Sequence, residues 1–110
     1  MAGTLKRIGP AYLAASATDI YAPPASTMYI VIRHIHVANV TNAVVTFTLY
    51  IGATGGSAGG TELYKLKQVG ANDAVDYFPM QRMASTDFLS GLASAGSSLV
   101  ITVEYEQFVV

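Results

Sequence analysis

The sequence predicts an all-β fold, a single antiparallel β-sandwich of jelly-roll type with about seven or eight short strands. Several runs alternate apolar and polar residues with period two and are crowded with β-branched side chains, which suit a pleated sheet better than a helix. Short clusters of Gly, Pro, Asn and Ser separate these runs. No strand–helix–strand unit can be assembled from the segments between them, which excludes a parallel sheet with crossover helices. No internal repeat of fixed period is visible, so solenoids and propellers are set aside.

In chain order, residues 5–8 are a candidate edge strand, and residues 19–26 read as a short strand broken by Pro23 and Pro24. Residues 28–39 carry a strong signal. Met28, Ile30, Ile32, His34, His36 and Ala38 fall on one face, and Tyr29, Val31, Arg33, Ile35, Val37 and Asn39 on the other. Both faces are largely apolar, which predicts a central strand covered on both sides. Residues 44–51 alternate more cleanly, with Val45, Phe47, Leu49 and Ile51 opposite Val44, Thr46, Thr48 and Tyr50. The short link at residues 40–43 predicts that these two strands form a hairpin.

Residues 52–60, rich in Gly, read as a flexible surface loop at which the chain reverses. Strand character resumes over residues 61–69, followed by a turn at 70–73 and a strand over 74–78 that Pro79 should end or hold at an edge. Met83, Phe88, Leu89 and Leu92 suit either a short helix or a bent strand, and Gly91 favours strand and turn. Residues 94–98 form a further turn. The last run alternates again, with Leu99, Ile101, Val103 and Tyr105 set against Val100, Thr102, Glu104 and Glu106.

A chain of 110 residues fits one compact domain. Within it, residues 1–18 are read as an N-terminal arm or edge strand and residues 19–110 as the sandwich. Charged residues make up 12% of the chain, against roughly 25% in ordinary soluble domains. Such a surface presents neutral or apolar patches, a feature of proteins that assemble. Six Lys and Arg against seven Asp and Glu make no basic stripe, which excludes sequence-independent nucleic-acid binding. The absence of cysteine excludes disulfide staples and thiolate metal sites. No apolar run has the length of a secretory signal or a membrane span, so synthesis in a cytoplasm and no membrane partner are expected.

Signals for chemistry are sparse. His34 and His36 share a strand face at a spacing that can place two imidazoles on one metal, with Asp73 and Asp76 as candidate carboxylates by type. Two ligands alone make no site, so the histidines are read as packed or interface residues and neither a metal nor another cofactor is expected. The Gly-rich loop lacks the Gly-Lys-Ser/Thr ending of a phosphate cradle, no nucleophile elbow is present, and the expectation is a non-enzyme. Asn39-Val-Thr41 matches a glycosylation acceptor by chance. The seven tyrosines read as core and interface rings.

Residues 20–39 (IYAPPASTMYIVIRHIHVAN), 43–52 (AVVTFTLYIG), 62–64, 70–75 and 99–105 together resemble small β-sandwich virion proteins of tailed bacteriophages, over roughly residues 19–106. Residues 77–83 depart from the family's rhythm, and residues 1–18 have no counterpart in it. The resemblance implies a non-enzymatic virion protein made in a host bacterial cytoplasm. Its first implied role is capsid decoration, stabilising the head through contacts with the major capsid protein or other virion proteins as a homo-oligomer, a trimer by preference. Its second is a tail or fibre component, including a receptor- or glycan-binding module. Leu5, Arg7 and Tyr12 in the leader and Phe108 and Val110 at the C-terminus are the expected interface residues.

Overall fold

The computed structural model describes residues 3–54, 56 and 59–109. These residues form nine strands: β1 (Thr4–Tyr12), β2 (Thr18–Tyr21), β3 (Thr27–Asn39), β4 (Val45–Gly52), β5 (Glu62–Val69), β6 (Ala74–Tyr77), β7 (Gln81–Ala84), β8 (Phe88–Ala93) and β9 (Leu99–Val109). One sheet has the order β1-β9-β3-β6 with β7 also on β3, and the other the order β2-β8-β4-β5. All pairings are antiparallel.

The order is that of a jelly roll. β1 pairs with β9, β2 with β8, β3 with β6 and β7, and β4 with β5, so the chain is one long antiparallel ribbon whose tip is the Gly-rich link between β4 and β5. Winding that ribbon sets β9 beside β3 and β8 beside β4, which closes the two sheets. β6 and β7 occupy a single strand position. They lie end to end along β3, opposite residues 35–38 and 29–32, and the break between them falls at Phe78-Pro79-Met80. Pro79 has no N–H to give to the ladder, so pairing lapses there.

The expected hairpin between residues 28–39 and 44–51 does not form. β3 and β4 lie in opposite sheets, and the link between them crosses from one sheet to the other. Asn39 determines this path. Its buried side chain donates from Nδ2 to the carbonyls of Ala43 (2.7 Å) and Val69 (3.0 Å) and accepts at Oδ1 from the Thr41 N–H (2.9 Å) and hydroxyl (2.7 Å). The Asn39-Val-Thr41 tripeptide is therefore a clamp on the crossover.

The expectation that β3 is covered on both sides is also corrected. β3 has a single core face whose phase changes along the strand. Ile30 and Ile32 are buried in its first half, and Ile35, Val37 and Asn39 in its second. The register with β9 runs Ile32↔Tyr105 and then His34↔Glu104, which leaves Arg33 as the extra residue of a β-bulge. Apolar residues populate both alternating sets because the core takes even positions before the bulge and odd positions after it.

The core is one cluster between the sheets. Ile30, Ile32, Ile35 and Val37 on β3 and Ile101 and Val103 on β9 belong to it together with Phe47 and Leu49 on β4, Val69 on β5 and Leu89 on β8. Such burial is the main favourable term in folding, and truncating a fully buried ring such as Phe47 to Ala costs about 3–5 kcal/mol.

Candidate functional site

The bulge at Arg33 sets the position of the two histidines. Without it, His34 and His36 would continue the core face of Ile30 and Ile32; with it, they point outward from the middle of the five-stranded sheet. On one side of β3, Glu104 of β9 is the ladder partner of His34, and on the other, Asp76 of β6 is the partner of His36. Three adjacent strands thus bring two imidazoles and two carboxylates to one spot. Asp73, also considered a candidate, stays in the turn before β6, where its carboxylate accepts from the Ala74 N–H at 2.8 Å.

His34 Nδ1 lies 2.9 Å from Glu104 Oε1, and His34 Nε2 lies 2.7 Å from Asp76 Oδ1. His36 Nδ1 reaches the same Asp76 oxygen at 2.7 Å. Carboxylates only accept, so both His34 nitrogens must carry protons for its two bonds to coexist, and the ring is then an imidazolium. Its pKa is raised above the ordinary histidine value by the hydrogen bonds to Glu104 and then Asp76, against a smaller opposing effect of burial. The Asp76 carboxyl is held below the usual carboxylate range by the bonds from His36 and then His34. Phe78 lies flat on the His34 ring, with centroids 4.7 Å apart and planes 8° from parallel, which fixes the ring's orientation.

Apolar side chains border the His34–Glu104 side of this polar centre. Leu5, Phe78 and Met80 line a shallow depression with Arg33, His34 and Glu104, and the three apolar side chains are 72%, 69% and 58% exposed. Farther along the same face, Arg33 pairs with Glu106 at 3.2 Å, Tyr29 stacks on Phe108 with centroids 4.7 Å apart, and the Arg82 guanidinium sits 4.6 Å from the Tyr29 ring centroid.

The structure brings some of the expected interface residues together and separates others. Leu5 and Arg7 face Glu106 and Glu104 across the β1–β9 ladder, so both flank the histidine cluster. Phe108 is half-buried and already packed on Tyr29. Tyr12 lies elsewhere, at the end of β1, where it lines a cleft with Ile8, Leu13, Ile20 and Gly91. Val110 lies outside the described residues. Sequence reasoning did not single out Phe78 and Met80, although two large apolar residues on either side of a proline that ends a strand are a readable signal of exposure.

No family model matches the sequence, and no curated protein matches it either. Solved structures do share its fold. A chain in the endospore appendages of Bacillus, which form disulfide-linked pili, is 17% identical with a TM-score of 0.52, over 98% of this chain and 90% of that one. A chain of infectious bursal disease virus, strain Gx, is 11% identical with a TM-score of 0.50, over 94% of this chain but 32% of the viral one. At such identities the likeness concerns the β-sandwich itself.

Proposed function

We propose that this protein is a non-enzymatic structural subunit of a tailed-phage virion, a capsid decoration protein that docks the outer face of its β1-β9-β3-β6 sheet on the shell. The observation that carries this reading is the exposed apolar trio of Leu5, Phe78 and Met80, which shares one shallow depression with the polar side chains of Arg33, His34 and Glu104. It lies on a chain in which only 12% of residues are charged. Exposed apolar clusters of this kind mark sites of protein association, with the neighbouring polar groups supplying directional contacts at their edge.

The resemblance of residues 19–106 to phage virion proteins supports the virion assignment. The shared fold with chains of a pilus and of a virus fits a sandwich used as a building block. The pilus neighbour is disulfide-linked, whereas this chain has no cysteine. Its assembly therefore cannot be disulfide-linked, and the reading is of non-covalent contact as a homo-oligomer, a trimer by preference, with the major capsid protein as partner. A ligand that binds only the assembled shell stabilises it by mass action, about 2.7 kcal/mol per site at a hundredfold excess over Kd.

Co-sedimentation of the purified protein with shells of its phage's major capsid protein tests this, with light scattering giving its own mass. Saturable binding at a fixed ratio, weakened at least tenfold by Leu5→Lys or Phe78→Ser, is expected. Point substitutions are preferable to removing residues 1–12, because β1 is hydrogen-bonded along β9 and its loss would bare a sheet edge. An oligomer that ignores shells would overturn decoration in favour of a tail or fibre role, and a monomer that ignores them would overturn both.

A further inference from the structure

We propose that His34, His36 and Asp76 form a binding site for a divalent transition-metal ion of borderline softness such as Zn2+, with Glu104 orienting His34 from outside the coordination sphere. Each of the three residues offers one donor atom, and these atoms all lie within 4.8 Å of one another. They are fixed by backbone pairing: the two histidines stand two apart on β3, and Asp76 is opposite His36 in the β3–β6 ladder. Two imidazoles and one carboxylate are a donor set that suits Zn2+, Co2+, Ni2+ or Cu2+ and is poorly matched to Mg2+ or Ca2+, which prefer oxygen alone.

The hydrogen bonds mark where the ion would go. The protons that His34 Nε2 and His36 Nδ1 direct at Asp76 Oδ1, each across 2.7 Å, occupy the space between the three donors. A metal ion replaces those protons, and metal binding at histidine is in general such an exchange. With bonds of about 2.0–2.1 Å, tetrahedral donors stand roughly 3.3 Å apart, so the Asp76 oxygen needs to withdraw from both nitrogens by about half an ångström while the two imidazole nitrogens, within 4.8 Å of each other, rotate towards one another. Asp76 is exposed and can withdraw that far.

Two further features favour a site over a chance salt bridge. A metal-bound histidine commonly donates its other ring N–H to a carboxylate, which fixes the tautomer and strengthens the ligand, and His34 Nδ1 already meets Glu104 at 2.9 Å. The stacked Phe78 ring holds His34 in that orientation. Three protein donors leave a fourth position of a tetrahedral ion open towards solvent, on the face where Leu5 and Met80 are exposed. The site stands whether or not that face docks on a shell.

Calorimetric titration of the tag-free chain with Zn2+ in a non-chelating buffer tests the proposal, with Mg2+ as the comparison. One Zn2+ per chain and no Mg2+ uptake are expected. His36→Ala and Asp76→Asn should each weaken Zn2+ binding at least tenfold, and Glu104→Gln by about 10–100-fold, as for other residues that orient a ligand. All three side chains lie on the outer face, and circular dichroism should show the variants folded. Perturbation of the His34 and His36 ring resonances by one equivalent of Zn2+ reads the same site without any substitution. No Zn2+ uptake by the wild-type chain, or uptake with affinity unchanged in both His36→Ala and Asp76→Asn, would overturn the assignment.

Discussion

Ile32 and His34 stand two residues apart on β3 yet face opposite sides of the sheet, Ile32 fully buried and His34 turned outward. In a regular strand residues two apart share a face, so Arg33 between them is an inserted residue. Their partners on β9, Tyr105 and Glu104, are already adjacent in sequence. Deleting Arg33 should therefore leave Ile32, His34 and Ile35 in strict alternation and a folded chain. It removes the exposed Arg33–Glu106 pair, worth about 0–1 kcal/mol. Deleting Val31 instead puts Ile30 or Ile32 on the outer face, and a loss of more than about 3 kcal/mol is expected. Urea unfolding of the two deletions decides this: if the Arg33 deletion is as damaging as the Val31 deletion, Arg33 is no insertion.

Asn39 is 3% exposed, and its amide bonds the Ala43 and Val69 carbonyls while its oxygen takes two bonds from Thr41. Asn39→Asp keeps the shape but turns a carboxylate oxygen towards two carbonyls. Leaving buried groups unsatisfied costs about 1–3 kcal/mol, and more for a charge. A drop of at least 3 kcal/mol is expected at neutral pH, easing as the carboxyl is protonated. Urea midpoints for Asn39→Asp at pH 7 and pH 4 measure it, and equal midpoints for mutant and wild type would remove the clamp from the account.

Strands that keep one phase are readable directly from sequence. Leu99, Ile101, Val103 and Tyr105 of β9 alternate inward without interruption, as do Val45, Phe47 and Leu49 of β4. β3 is readable as a strand but not as to its faces, because local spacing does not reveal which residue a bulge inserts. The β3–β4 link is as short as a hairpin loop, and its crossing between sheets depends on distant partners: the strands that β3 and β4 pair with, and the Val69 carbonyl that Asn39 binds. The His34–His36 pair is visible as a spacing, whereas its carboxylate depends on the β3–β6 register, some 40 residues along the chain. By type alone Asp73 and Asp76 are equivalent; the ladder distinguishes them.

Gly91 of β8, paired with Leu49 of β4, leaves no room for a side chain. A Cβ there would lie 2.6 Å from Leu49 Cδ2 and 2.8 Å from the Thr48 carbonyl oxygen, and the latter is backbone that cannot swing away. Gly91→Ala is expected to destabilise by about 1–3 kcal/mol through overpacking. Gly59→Ala, where an added methyl meets nothing within 4 Å, should stay within about 0.5 kcal/mol of wild type. Thermal unfolding of the pair tests the contrast, since about 1 kcal/mol shifts the Tm of a domain this size by roughly 4–8 °C.

The histidine cluster should make stability depend on pH in two opposite ways. His34 has a folded pKa above 6.5, so its bonds contribute fully below that value and are lost as pH rises through the raised one. Asp76 has a folded pKa below 3.8, so its contribution is present above that value and is lost as pH falls through the lowered one. The stability difference between wild type and Asp76→Asn, measured with EDTA present, should be largest between about pH 4 and 6.5 and shrink on either side. The titratable and charged groups around His34 are Glu104 from β9, Asp76 from β6 and, on β3 itself, Arg33 and the His36 ring, whose centroid is 6.3 Å away. An NMR titration of the His34 ring should accordingly place its midpoint above 6.5, and Glu104→Gln, which removes the leading cause of the shift, should move it down. A midpoint at the ordinary histidine value, unmoved by Glu104→Gln, would mean that the imidazolium bridge between the two carboxylates does not form in solution.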